Sequence, residues 1–111
     1  MNQAAVFEVS LERNQALIVK ATEGLTHAES VLQLPFESNC MNWVLGHMAV
    51  YRDALLGYTR QRPYLSSLER DLYVQGVAPI KPESETVLLE RLLAVLADSF
   101  DALIVWLRSN P

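Results

Sequence analysis

The chain has 111 residues, half of them hydrophobic, which suits a single domain with an apolar core. Its 13 acidic and 9 basic residues give a net charge of −4, which excludes general nucleic-acid binding because phosphates need many cations. The single Cys40 excludes an intrachain disulfide and favours a reducing compartment. No basic, signal-like start is present, and no apolar run approaches the ~18–20 residues that cross a bilayer. We therefore expect one cytoplasmic domain over residues 1–111, without nucleic-acid or membrane partners.

The first predicted helix covers about Gln3–Glu23, and Gly24 follows as its stop signal. Its apolar residues recur at spacings of three, four and seven, which mark one face of a helix. These residues are Ala4, Phe7, Leu11, Ile18, Ala21 and Leu25.

The second predicted helix begins at a cap, Ser38 or Asn39, and runs to about Arg60. One narrow stripe of this helix carries only small or polar residues. The stripe consists of Asn42, Gly46, Ala49, Asp53 and Gly57. Small residues let another chain segment approach closely, so the stripe predicts either a tight helix contact or an exposed edge.

The third predicted helix starts after a cap at Ser84 and has about 25 residues with a wide apolar arc. The connection that precedes it predicts a short helical turn around Ser66–Leu72. Connections of this length are often functional or mobile, and the alternative is a plain crossover between antiparallel helices. Three long helices and few glycines predict an all-α, antiparallel bundle.

His47 stands in the middle of the apolar second helix, with Trp43, Tyr51 and Tyr58 on the same side. An imidazole buried there without a partner would cost about 1–3 kcal/mol. Its partner is expected to be the hydroxyl of Tyr51, a metal ion or a bound ligand. The sequence contains no H-x-x-x-H pair, and the other histidine, His27, lies in a polar segment. The sequence is therefore compatible with two roles for His47, a core histidine or a metal ligand.

Cys40 falls at the start of the second helix, where the positive end of the helix dipole favours a thiolate. Two interpretations follow from this position. The thiol is either a reactive group or a small apolar side chain that packs against the preceding loop.

The stretch "NWVLGHMAVYRDALLGY" resembles the second helix of the DinB-like (DinB/YfiT) metalloenzyme superfamily, which carries a W-x-x-G-H-type pattern. The segments "GLTHAESVLQLPFESN" and "LYVQGVAPIKPESETVLLERLLAVLADSFDALIVWL" are similar to the loop before that helix and to the loop and helix after it. The resemblance covers the chain from about residue 20 onward. It implies a four-helix bundle, often dimeric, with a divalent metal held by three histidines.

By this resemblance, His47 is the first metal ligand, for Ni, Zn or Mn, and Trp43, Tyr51 and Tyr58 line the pocket. The chain ends at "WLRSNP", where the fourth helix with the other two ligands would begin. The wide apolar arc of the third helix would then be left uncovered, so we expect a homodimer.

Two functions follow from the incomplete ligand set. The first is a non-catalytic binding or assembly module that holds a small apolar or thiol ligand, or a partner helix. The alternative is a metal-dependent thiol S-transferase or isomerase, with the metal on His47 and further ligands from another chain, such as His27 of a second subunit.

Overall fold

The computed structural model describes residues 2–33, 39–74 and 84–110, and these residues form helices and connections without strands. Five helices follow along these segments: α1 Gln3–Ala21, α2 His27–Ser30, α3 Met41–Tyr58, α4 Ser67–Asp71 and α5 Leu89–Ser109. The three long helices α1, α3 and α5 confirm the all-α prediction. The short turn predicted in the connection is confirmed as α4.

The ends of α1 follow from ordinary capping chemistry. The Asn2 side chain accepts a hydrogen bond from the backbone N–H of Ala5, which satisfies a free donor of the first turn. At the other end, Gly24 adopts a φ of 71°, a left-handed conformation that glycine reaches without strain. The predicted stop at Gly24 is therefore confirmed, with the helix ending two residues earlier than expected.

The helix α2 was not predicted, although its sequence carries a signal. Thr26 and Glu29 form a capping box, in which each side chain accepts a hydrogen bond from the backbone N–H of the other residue. The same pattern of a hydroxyl residue followed three positions later by Glu starts α4, with Ser66 and Glu69.

The start of α3 differs from the prediction. Cys40, and not Asn39, is the N-cap, and its side chain makes no capping hydrogen bond. The thiol is 5% exposed and packs in the hydrophobic core, so burial fixes this helix start in place of a polar cap. The other predicted cap, Ser38, lies outside the described residues.

The start of α5 was also placed too early. The helix begins at Leu89, after an N-cap at Leu88, and not after Ser84. The backbone N–H of Leu89 donates to Nδ1 of His27, 3.1 Å away. A side chain from α2 therefore caps α5, and capping by a residue that is distant in sequence leaves no local pattern to detect.

The directions of the long helices correct the antiparallel prediction. Asn42 near the start of α3 bonds to the Val87 carbonyl, and Arg52 ten residues later bonds to the Leu96 carbonyl. The later residue of α3 contacts the later residue at α5, so the two helices run parallel. α1 runs antiparallel to α5, since its Glu8 pairs with Arg108 near the other end of the chain.

The parallel pair explains the length of the connection after α3. A short loop can only return the chain in the opposite direction, whereas a parallel neighbour requires the chain to travel back along the whole helix. The 18 residues of α3 span about 27 Å, at 1.5 Å per residue. The connection between Tyr58 and Leu89 is long enough for this return, and α4 lies in its described part.

The core lies around α5, which packs against both α3 and α1. One buried group surrounds the first half of α5 and includes Ile18, Leu45, Ala49, Leu92 and Leu96. A second, smaller group surrounds its second half and consists of Leu11, Leu56, Leu103 and Ile104. Both groups therefore join all three long helices.

Candidate functional site

The small-residue stripe of α3 is a tight contact. Asn42, Gly46, Ala49 and Asp53 are buried, and only Gly57 at the end of the helix is exposed. The ring of Tyr73, from the connection after α4, lies directly on Gly46, where any Cβ would overlap it. The stripe is therefore not an exposed edge, and the group that approaches Gly46 is an aromatic side chain of the connection, not the predicted neighbouring helix.

Tyr73 is fully buried and its hydroxyl belongs to a closed polar network. The hydroxyl donates to Oδ1 of Asn42 at 2.6 Å and accepts from the Val87 backbone N–H at 2.8 Å. The Asn42 amide in turn donates to the Val87 carbonyl at 3.0 Å. Burial raises the pKa of Tyr73 to about 12, because the charged phenolate would lose its hydration.

The partner of His47 is the backbone carbonyl of Tyr73, which lies 2.9 Å from Nδ1. A carbonyl can only accept, so the proton of this hydrogen bond is on Nδ1. The ring also stacks on Trp43, with centroids 4.6 Å apart and planes 11° apart. The predicted contact with the Tyr51 hydroxyl is absent among the described hydrogen bonds, because Tyr51 is 64% exposed.

His47 lines a cavity of about 420 Å³ between α1 and α3, which we call the α1–α3 cavity. α1 contributes Phe7, Ser10, Leu11 and Asn14. α3 contributes His47, Met48, Tyr51, Arg52 and Leu55. The walls are mostly apolar with a few polar groups, which is the usual composition of a small-molecule site.

Arg52 carries the positive charge of this cavity and is only 2% exposed. Its Nη1 donates to the side chain of Gln15 at 2.6 Å and to the Leu96 carbonyl at 2.7 Å. Its Nη2 donates to Oδ1 of Asn14 at 2.8 Å. The guanidinium therefore joins α3 to both α1 and α5.

The structure separates the predicted pocket residues. Tyr51 lines the α1–α3 cavity beside His47, and Trp43 supports His47 from outside the lining. Tyr58 is 86% exposed at the end of α3 and does not line the cavity. The Cys40 thiol is buried in the core.

Trp43 carries a further polar group near the site. Its indole Nε1 is buried and has no hydrogen-bond partner among the described residues. An indole N–H can only donate a hydrogen bond, so any partner of this atom must be a hydrogen-bond acceptor.

A divalent metal does not fit the described residues by themselves. Within residues 2–33, 39–74 and 84–110, no three His, Cys, Asp or Glu side chains cluster closely enough to hold one. Arg52 lines the same cavity as His47, and its positive charge opposes a bound cation. His27 contacts Leu89 and Thr86 at the start of α5.

Comparison of the chain with protein-family models, curated proteins and solved structures finds no match in any of the three. Across the described part of the chain, no helix combines the length and the apolar character that crossing a membrane requires.

Two residues that shape the site, Tyr73 and Arg52, were not predicted from the sequence. Tyr73 lies in a connection. The sequence signal related to it is Gly46 on α3, which leaves space for its ring. Arg52 was the more visible of the two, because Arg52 and Asp53 are the two acidic or basic residues in the mostly apolar segment that contains His47. A charged residue inside such a segment predicts either a solvated helix edge or a buried polar contact.

Proposed function

We propose that this protein is a non-catalytic binding module with a DinB-like helical architecture, and that it holds a small, largely apolar molecule in the α1–α3 cavity. The observation that carries the proposal is a cavity of about 420 Å³ between two helices, with mostly apolar walls and a few polar groups, among them His47 and Arg52. Sites for small ligands usually have about 300–1,000 Å³ and a composition of this kind.

The support around His47 strengthens the proposal. Its ring is fixed on one side by Trp43 and at Nδ1 by the Tyr73 carbonyl. A polar group held in one orientation loses little entropy when a ligand binds, which favours affinity.

The proposal is tested with 1-octanol as a neutral, apolar probe and isothermal titration calorimetry as the measurement. We expect saturable binding to the wild type. Ser10 is exposed and lines the cavity, so Ser10→Phe fills the space without removing a core contact. We expect this variant to weaken octanol binding about tenfold or more, because each 1.4 kcal/mol of lost contact is a factor of ten.

The matched control is Ser109→Phe, which adds the same ring at an exposed position at the end of α5, outside the cavity. The Ser109→Phe variant should bind octanol with the same affinity as the wild type. Absence of octanol binding to the wild type, or equal weakening by both substitutions, would contradict the proposal.

The metal-dependent alternative is favoured by one observation. Proteins commonly orient a metal-binding histidine by a hydrogen bond from its other nitrogen to a carbonyl, and Nδ1 of His47 makes such a bond. A transferase or isomerase would still require further donors, from a second chain or from outside the described residues. Zinc and nickel sites take three or four protein ligands.

Homodimerisation is part of the proposal. Large apolar side chains remain exposed on each long helix, among them Leu17 on α1, Val44 on α3 and Val105 on α5. Their removal from water would favour association. We expect native mass spectrometry at micromolar concentration to show a dimer, and a monomer would contradict this prediction. Stoichiometric bound metal in the same spectra would favour the alternative enzyme function.

A further inference from the structure

Arg52 is a buried cation that has no anionic partner among the residues that the structure describes. Its side chain is 2% exposed, and the three described acceptors around it are all neutral: two side-chain amide oxygens and a backbone carbonyl. Buried charges in proteins are usually paired with an opposite charge, because leaving water costs several kcal/mol per ion. Burial lowers the pKa of Arg52 to about 10, and the group remains charged at neutral pH.

Arg52 lines the α1–α3 cavity, and its guanidinium has hydrogen-bond donors to spare. The described bonds use three of the five N–H groups of the guanidinium. Asn14 must turn its amide oxygen toward Arg52, which only donates, so the NH₂ of Asn14 remains a donor beside it. The Ser10 hydroxyl lies in the same lining.

The charge balance of the cavity is opposite to that of the protein. The chain has 13 acidic residues against 9 basic ones. None of the residues that line the α1–α3 cavity is acidic, and Arg52 is among them. An acidic protein that leaves a buried positive charge uncompensated in an apolar cavity has a site complementary to a small anion with an apolar body.

We propose that the ligand of the α1–α3 cavity is a small organic carboxylate, with its charged group on Arg52 and its apolar body between Phe7, Leu11 and Met48. This inference rests on the function proposed above, and it adds the charge and the chemical class of the ligand. The competing explanation is that Arg52 only ties α3 to α1 and α5, in which case the charge confers no preference.

The first test uses the wild type and three ligands with the same alkyl chain: octanoate, 1-octanol and octylammonium. At neutral pH and low salt we expect octanoate to bind about tenfold or more tightly than octanol, the range of a hydrogen bond to a charged group. Octylammonium should bind more weakly than octanol because its charge meets that of Arg52.

The outcomes separate this inference from the function on which it rests. Equal affinity for octanoate and octanol would overturn the carboxylate preference and leave an apolar binding site. Failure of both ligands to bind would overturn the proposed function. Octanoate binding that Ser10→Phe does not weaken would place the anion outside the cavity and also overturn the inference.

The second test uses Arg52→Met, which keeps a long apolar side chain and removes the charge. We expect the preference for octanoate over octanol to disappear while octanol still binds. Arg70→Met is the matched control, because Arg70 is exposed on α4 and lies outside the cavity lining. Retention of the full preference in Arg52→Met would overturn the inference.

A spectroscopic measurement on the wild type covers the case in which Arg52→Met does not fold. The guanidinium Nε–H signals are recorded by ¹H–¹⁵N nuclear magnetic resonance and assigned with Arg52→Lys or by through-bond correlation. Octanoate should shift the Arg52 signal at concentrations where octanol does not. A shift confined to exposed arginines would count against the proposed site.

Discussion

Substitution of Tyr73 by phenylalanine is expected to lower the free energy of unfolding by about 2–4 kcal/mol at neutral pH. The ring that covers Gly46 stays in place, but Oδ1 of Asn42 and the Val87 backbone N–H lose their common partner. A buried polar group left without a partner costs about 1–3 kcal/mol, and two are affected. Chemical denaturation of Tyr73→Phe and the wild type gives the difference directly.

The same pair of proteins tests a pH effect. The pKa of Tyr73 is raised by burial from its ordinary value of 10.0 to about 12 in the folded protein. The unfolded chain therefore releases this proton first as the pH rises, and the folded state loses its advantage. We expect a stabilising contribution that is fully present below about pH 10 and lost toward about pH 12, on the order of 2–3 kcal/mol.

The Tyr73→Phe variant should lack this alkaline loss. Tyr58→Phe serves as the control, since Tyr58 is 86% exposed and its hydroxyl makes no described hydrogen bond. If Tyr73→Phe and Tyr58→Phe have equal stabilities and parallel pH profiles, the buried network around Tyr73 does not exist in solution.

Gly46→Ala is expected to destabilise the protein by about 1–3 kcal/mol, although alanine normally favours a helix by about 1 kcal/mol over glycine. The added Cβ would overlap the ring of Tyr73. That ring cannot move aside freely, because the Tyr73 hydroxyl is bonded to Asn42 and Val87 and its carbonyl to His47. Thermal or denaturant unfolding measures the net effect.

Gly57→Ala is the matched control on the same helix, because no atom lies within 4 Å of the position of its Cβ. Its stability should be unchanged or higher by up to ~1 kcal/mol. A Gly46→Ala variant as stable as Gly57→Ala would show that Tyr73 does not pack on α3.

The sequence predicted the helices better than their directions. Apolar spacing located α1 and α5 because each helix presents one continuous face to the core, and a cap signal before a largely apolar stretch located α3. It could not give the parallel course of α3 and α5, which depends on where the chain lies after α3. It also could not give the caps supplied by distant residues, such as His27 at the start of α5.

The candidate site was predictable only in part. The position of His47 in an apolar helix showed that it needs a partner, and the stripe with Gly46 showed that something could approach closely. Neither pattern could name Tyr73, which supplies both the carbonyl for His47 and the ring on Gly46 from 26 residues further along the chain. The cavity depends on α1 and α3 being held apart on α5, which is a property of the packed molecule.

The packing of α1 has a consequence for how a ligand reaches the cavity. α1 buries only Leu11 and Ile18, far fewer side chains than α3 or α5. Segments held by few buried contacts detach locally at lower free energy than the rest of a fold. The most easily detached long helix is therefore also a wall of the cavity, so its local detachment would widen a site whose lining is already exposed at Ser10 and Tyr51. Asn14 and Gln15 fasten that wall to Arg52, so a molecule that competes for this guanidinium would also alter how often the wall opens.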